Sequence, residues 1–117
     1  MKDGYIRIAA ASFDTSIADI KKNSLQICKL IDQAYENKAK VIVFPELCLT
    51  GYTCADLFNQ ERLLNEAKLQ LQNIIEKTIN KDIIVAVGLP YQHLNSLYNV
   101  AAIIHSGKLL GLVPKTH

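Results

Sequence analysis

Four consecutive apolar residues, Val41-Ile42-Val43-Phe44, are cut off by Pro45. A run this short, rich in β-branched side chains and without polar alternation, reads as a strand buried on both faces. Proline has no N–H to give to a ladder, so the strand stops there. A strand covered on both faces needs layers around it, and the flanking periodicity supplies helices. Upstream, Ile17, Ile20, Ile27, Ile31 and Ala34 recur three to four residues apart or at multiples of that, one stripe of an amphipathic helix. Ser16 or Asp19 can cap its start, and Lys38 and Lys40 follow its end, where positive charge suits the helix dipole. Downstream, Leu64, Ala67, Leu71, Ile74 and Thr78 write a second helix from about Asn59 to Thr78, after a loop over 47–57 that carries Gly51.

The remaining segments read as strands. Tyr5 to Phe13 alternates and then turns apolar, as a buried strand does, and Ile83 to Leu89 is a third buried strand closed by Pro90. Leu97 to His105 is a fourth and Lys108 to Val113 a fifth, joined by Ser106-Gly107, a two-residue loop of hairpin type. The order β-α-β-α-β-β-β predicts an α/β sandwich with helices on one face of a mixed sheet. No linker, internal repeat or low-complexity segment interrupts it. Pro114-Lys115-Thr116-His117 follows directly on a strand, so a truncated domain is expected here rather than a natural domain end.

Bulk composition narrows the function classes. Half the residues are apolar and 21% are charged, a core-forming balance rather than that of a disordered tail. A formal charge of +2, with no basic run, gives no support to a nucleic-acid or anionic-membrane partner. The apolar stretches are far shorter than the roughly 18 residues that cross a bilayer, and no apolar stretch follows the N-terminal charge as in a signal peptide. Three irregularly spaced cysteines argue for free thiols in a reducing cytosol, so a cytoplasmic protein is expected.

Two charged residues occupy comparable places. Glu46 follows a buried strand and a proline, at the carboxyl edge where open α/β sheets carry their sites. Apolar neighbours would desolvate its carboxylate and move its pKa toward the range of a general base, whereas a solvated loop glutamate is the plainer alternative. Lys115 likewise follows a strand and a proline, Val113-Pro114-Lys115, and could meet Glu46 as an electrostatic partner; a solvated lysine is the alternative. Tyr52, beside Gly51, could present its phenol to a substrate or simply pack the loop. Cys28 lies near the apolar stripe of the first helix, so a packed thiol is the default. Cys48 and Cys54 form neither a redox pair nor half a zinc knuckle. His93, His105 and His117 have no ligand spacing, so no metal is expected, and no glycine-rich phosphate cradle is present.

The stretch from Val41 through Phe44-Pro45-Glu46-Leu47-Cys48-Leu49-Thr50-Gly51-Tyr52 resembles the first signature of the nitrilase, or carbon–nitrogen hydrolase, superfamily. Val113-Pro114-Lys115 resembles the second. Leu49 to Phe58, Val87 to Pro90, Leu97-Tyr98-Asn99 and Gly107 to Gly111 look, more narrowly, like the amide-hydrolysing domain of bacterial glutamine-dependent NAD synthetases. The resemblance implies the nitrilase-like αββα sandwich, of which 1–117 would be the N-terminal portion. It implies Glu46 as general base, Lys115 as the cation at the tetrahedral oxyanion and Tyr52 as a residue lining the glutamine pocket. The family's nucleophilic cysteine would lie beyond residue 117, as would a synthetase domain using ATP and Mg to amidate deamido-NAD. The amide-hydrolysing part would need no cofactor, and a homo-oligomer is expected. Two alternatives stay open: hydrolysis of another small amide or nitrile, and a non-catalytic domain that binds a partner through its sheet.

Overall fold

The computed structural model describes residues 7–11, 19–45, 48–49, 57–94 and 96–114. Their elements are β1 (Ile8–Ala10), α1 (Ile20–Glu36), β2 (Val41–Val43), α2 (Leu57–Lys77), β3 (Ile84–His93), β4 (Ser96–His105) and β5 (Lys108–Pro114). The strands form a single sheet in the order β1-β2-β3-β4-β5, matching the mixed α/β architecture expected. The first three are parallel, and β4 and β5 are antiparallel to their neighbours. Each parallel pair is bridged by a helix. Because such crossovers are right-handed, and both advance the same way across the sheet, α1 and α2 fall on the same face.

That face is the core. Ile42, Val85, Val87, Leu89, Val100, Ala102 and Ile104 point to it at the period of two that a strand imposes. From α1, Ile20, Ile27, Ile31 and Ala34 pack down, and from α2, Leu64, Ala67, Leu71 and Ile74. The helical stripes foreseen from spacing are therefore buried as expected among the described residues. Full burial of an Ile or Leu contributes about 1.5–3 kcal/mol, so this layer dominates stability.

Helix ends obey local chemistry. Asp19 caps α1, its carboxylate accepting from the Lys22 N–H at 3.3 Å. At the other end Ala39 N–H donates to Ala34 and Lys38 N–H to Tyr35, the paired bonds of a Schellman turn, with Lys38 at φ 63°. The Ser106-Gly107 loop has φ 46° and 81°, both positive, as a hairpin turn twisted with its strands requires. The Gly107 N–H donates to the buried Thr78 hydroxyl at 2.8 Å. A Cβ at Gly107 would sit 2.6 Å from Ile79 Cγ1, so glycine serves both the turn and this contact.

Three strand expectations need correction. The first strand is Ile8–Ala10 and is buried on neither face: Ile8 and Ala10 stand on the uncovered face, and Ala9 packs only partly against the core. The β2 strand is buried on one face only: Ile42 is covered, but Val43 is 45% exposed. Nothing among the described residues lies over the second face, where Ile8, Ile84 and Val113 are exposed as well. Pro90 does not close β3, which runs on to His93. Ala86 and Gly88 turn their carbonyls toward the β2 side, where Phe44 and Leu49 donate to them. Pro90 has the same parity, so its nitrogen also points that way, beyond the end of β2, where no ladder bond is lost. As a result β3 and β4 form one long hairpin whose pairing extends to His93 and Ser96.

Two outcomes follow from this packing. In the 117-residue chain by itself, the open apolar face should drive self-association, visible as concentration-dependent sedimentation and reduced by Val43→Lys with Val113→Lys. At the opposite, amino edge of β2 and β3, Asp82 accepts from His105 at 2.9 Å and pairs with Lys40 at 3.2 Å. The His105 hydrogen bond, then Lys40, holds the exposed Asp82 carboxyl below its ordinary value. A depressed carboxylate stabilises above its unfolded pKa of about 3.9 and loses that contribution as pH falls through the lower folded value. Asp82→Asn should therefore flatten the acid limb of the stability curve below about pH 4, read by denaturant titrations across pH.

Candidate active site

The carboxyl edge of the sheet gathers the ends of several strands. Because β5 is antiparallel to β4, and β4 to β3, β5 runs in the direction of β2. Phe44-Pro45 and Val113-Pro114 therefore emerge at the same edge, three strand positions apart, or about 14 Å at the usual spacing. Glu46, Tyr52 and Lys115 lie outside the described residues, whereas Pro45 and Pro114, which precede Glu46 and Lys115, lie within them.

The chain leaving β2 is held by a small set of backbone bonds. Phe44 N–H donates to Ala86 at 3.0 Å, so the parallel ladder persists up to Pro45. The Cys48 N–H returns to the Pro45 carbonyl at 3.2 Å. Leu49, fully buried, donates its N–H to Gly88 at 3.2 Å and accepts from Asn23 Nδ2 at 3.0 Å. Asn23 on α1 and Ala86 and Gly88 on β3 thus hold described residues on either side of Glu46.

Cys48 belongs to this turn, and its environment is that of a packed thiol. It is 1% exposed, and its Sγ donates to the same Gly88 carbonyl at 3.7 Å. Burial pushes the thiol up to about 11, only partly offset by the backbone hydrogen bonds. Cys28 is half-buried in α1, and burial raises its thiol also, against the lowering effect of Lys77. Neither has the depressed pKa that marks an activated nucleophile, and Cys54 lies outside the described residues.

Among the described residues two cavities open at this edge, on opposite faces. The small side chains of Ala86, Gly88 and Ala101 leave a space of about 90 Å³ on the open face, bounded by Val43, Pro45 and Asn99. On the helix face a larger cavity of about 290 Å³ lies among Tyr91, His93, Tyr98, Val100, Leu112 and Pro114. The Lys68 ammonium stands 5.3 Å above the Tyr91 ring, a cation–π contact from α2. Among the described residues no group of three or more His, Cys, Asp or Glu side chains could hold a metal. His93 and His105 end opposite strands of the hairpin and so stand at opposite edges, and His117 is not described.

Sequence reasoning passed over Asn23 and Asn99. Asn23 falls between Ile20 and Ile27 on the buried stripe of α1, so a polar residue where helical spacing places an apolar one was the available signal. Asn99 alternates onto the open face of β4, but a lone Asn in a strand carries no such mark.

The matching family model, carbon–nitrogen hydrolase, spans residues 7–117, and the chain belongs to that family. Within it, the chain is 41% identical over 110 residues to a glutamine-dependent NAD(+) synthetase of Aquifex aeolicus, covering 94% of this chain and 19% of that protein. A crystal structure of such a synthetase from Cytophaga hutchinsonii superposes with a TM-score of 0.87 at 29% identity, over 96% of this chain and 19% of that one. An amidase of the nitrilase superfamily from Nesterenkonia shares the fold, with a TM-score of 0.77 at 22% identity over 96% of this chain and 43% of that one. The chain thus spans about a fifth of the length of the synthetases it matches.

At pH 8 a thiol of pKa about 11 is thiolate in roughly one molecule in a thousand. Cys48 should therefore resist iodoacetamide in the native protein, with a rate that climbs as pH approaches 11, and react fully after unfolding. Peptide mass spectrometry reads this directly, and rapid native labelling of Cys48 near neutrality would contradict the packed geometry.

Proposed function

We propose that this chain is the glutamine-hydrolysing part of a glutamine-dependent NAD synthetase, with Glu46 as general base and Lys115 as the oxyanion cation. The observation that carries the reading is topological. β2 and β5 bring Pro45 and Pro114, the residues before Glu46 and Lys115, to one edge of one sheet. A substrate amide over β3 and β4 near Gly88 and Val100, level with the two prolines, would lie between those two strand ends. The likeness to the synthetases supports glutamine as the amide, with Tyr52 lining its pocket.

In this mechanism a cysteine thiol gives its proton to Glu46 as sulfur bonds to the glutamine side-chain carbonyl carbon. Lys115 and backbone N–H groups hold the developing oxyanion. Glu46 then returns the proton to the departing nitrogen as the C–N bond breaks and ammonia leaves. Water, deprotonated by the same carboxylate, attacks the thioester and releases glutamate and the thiol. The attacking cysteine would come from a part of the family's domain outside these 117 residues, since Cys48 is buried and held protonated. ATP, Mg and deamido-NAD would be used in a separate synthetase region, which would consume the ammonia. No described helix is long and apolar enough to cross a membrane, and a cytoplasmic location fits this chemistry.

Ammonia release from glutamine by the whole gene product tests the roles. Glu46→Gln should abolish it, Lys115→Met should lower kcat by about 10²–10³, the range seen for loss of one oxyanion donor, and Tyr52→Ala should act mainly on KM. The 117-residue chain alone should release none. Wild-type turnover in Glu46→Gln, or activity of the short chain lost on alkylating Cys48, would overturn the assignment.

A further inference from the structure

The cavity of about 290 Å³ on the helix face lies where the β3–β4 hairpin leaves the layered part of the sheet. Past Leu89 and Val100 the two strands pair only with each other among the described residues. There Tyr91 and His93 continue the parity of Leu89, and Tyr98 that of Val100, so all three turn toward the helix side. Tyr91 and Tyr98 are directly opposite in the register, which sets their two rings side by side as one wall. Val100, Leu112 and Pro114 supply the apolar remainder, and none of the six lining residues is acidic. From α2, the Lys68 ammonium stands 5.3 Å above the Tyr91 ring, and among the described residues no carboxylate pairs with it. The two phenols and the His93 ring likewise have no hydrogen-bond partner among the described residues.

We propose that this cavity binds a single-ring aromatic carboxylate, its ring against Tyr91 and Tyr98 and its carboxylate toward Lys68. A packing defect would be lined by apolar groups alone, whereas a few polar groups around an apolar space are the arrangement of a ligand pocket. At about 30 Å³ per water the space holds about ten waters, which suits a molecule of about that many non-hydrogen atoms, such as benzoate. A pair of tyrosine rings favours a flat ring, packed offset or edge to face, over an aliphatic chain. Lys68, His93 and the hydroxyls offer donors to an anion, and no acidic lining residue repels it. Tyr98 is 40% exposed, so the ligand can enter from solvent with the hairpin still paired. The cavity beside Pro45 lies on the opposite face of the sheet, so the inference does not depend on the roles proposed for Glu46 and Lys115.

Fluorine NMR titration of para-fluorobenzoate into the whole gene product tests this, with Lys68→Met, Lys68→Arg and Tyr98→Leu compared with wild type. Wild type should bind the probe saturably with a Kd on the order of 0.1–1 mM, the strength open to so small a ligand. Lys68→Met and Tyr98→Leu should each weaken binding about 3- to 10-fold, whereas Lys68→Arg, which keeps the cation, should stay within about twofold. The neutral para-fluorobenzamide, of the same shape, should bind about fivefold more weakly than the acid. Absence of saturable binding up to about 10 mM would overturn the proposal. So would a Kd unchanged in Lys68→Met or in a folded Tyr98→Leu, which would place the probe elsewhere on the protein. Equal affinity for the neutral amide would overturn the assigned class of ligand. Lys68 is exposed, so if Tyr98→Leu does not fold, the contrast between Lys68→Met and Lys68→Arg decides alone.

Discussion

The contact between one parity of the sheet and the two helices decides the rest of this molecule. Ile42, Val85, Val87, Ala102 and Ile104 point toward Ile27, Ile31, Ala67 and Ile74, all buried. A slip of one residue in any strand would turn its apolar set away from the helices, so this packing fixes register as well as stability. Truncating one of the central isoleucines to alanine would cost about 2–5 kcal/mol, much of what a domain of this size has to lose. With register fixed, the ends of β2 and β5 are placed too, and with them the prolines that precede Glu46 and Lys115.

Edge and interior differ in how they are held. At the amino edge, solvent-exposed side chains do the tying: Lys40 and His105 each reach the Asp82 carboxylate and join the approaches to β2 and β3 with the end of β4. At the carboxyl edge the ties are buried and neutral, namely the carbonyls of Gly88 and Leu49, the Cys48 thiol and the Asn23 amide. Salt and pH act on the first set and hardly reach the second, since screening and titration require solvent.

The open face of the sheet gives the family assignment a physical counterpart. Ile8, Val43, Ile84 and Val113 form an apolar surface that no described element covers, beside a cavity made by Ala86, Gly88 and Ala101. Small residues in the middle of that face permit close approach of whatever packs there. In a sandwich architecture the second layer supplies that cover, and the synthetases this chain resembles are about five times its length.

Local chemistry alone was enough to write the helices, the Ser106-Gly107 turn and the alternation of strands with helices, and to narrow the α1 cap to Ser16 or Asp19, because each depends on neighbours within a few residues. Pattern likewise singled out Glu46 and Lys115 as residues that follow a strand and a proline. It could not show that β1 is an edge, that one face of β2 is open, or that Pro90 sits harmlessly inside β3, since those depend on which strand lies alongside. Nor could it find the Asn23–Leu49 bond, where two segments far apart in the chain meet only after α1 has folded onto the sheet. Spacing records what a segment would bury; only the assembled layers decide against what, and which polar group is left inside to hold the turn.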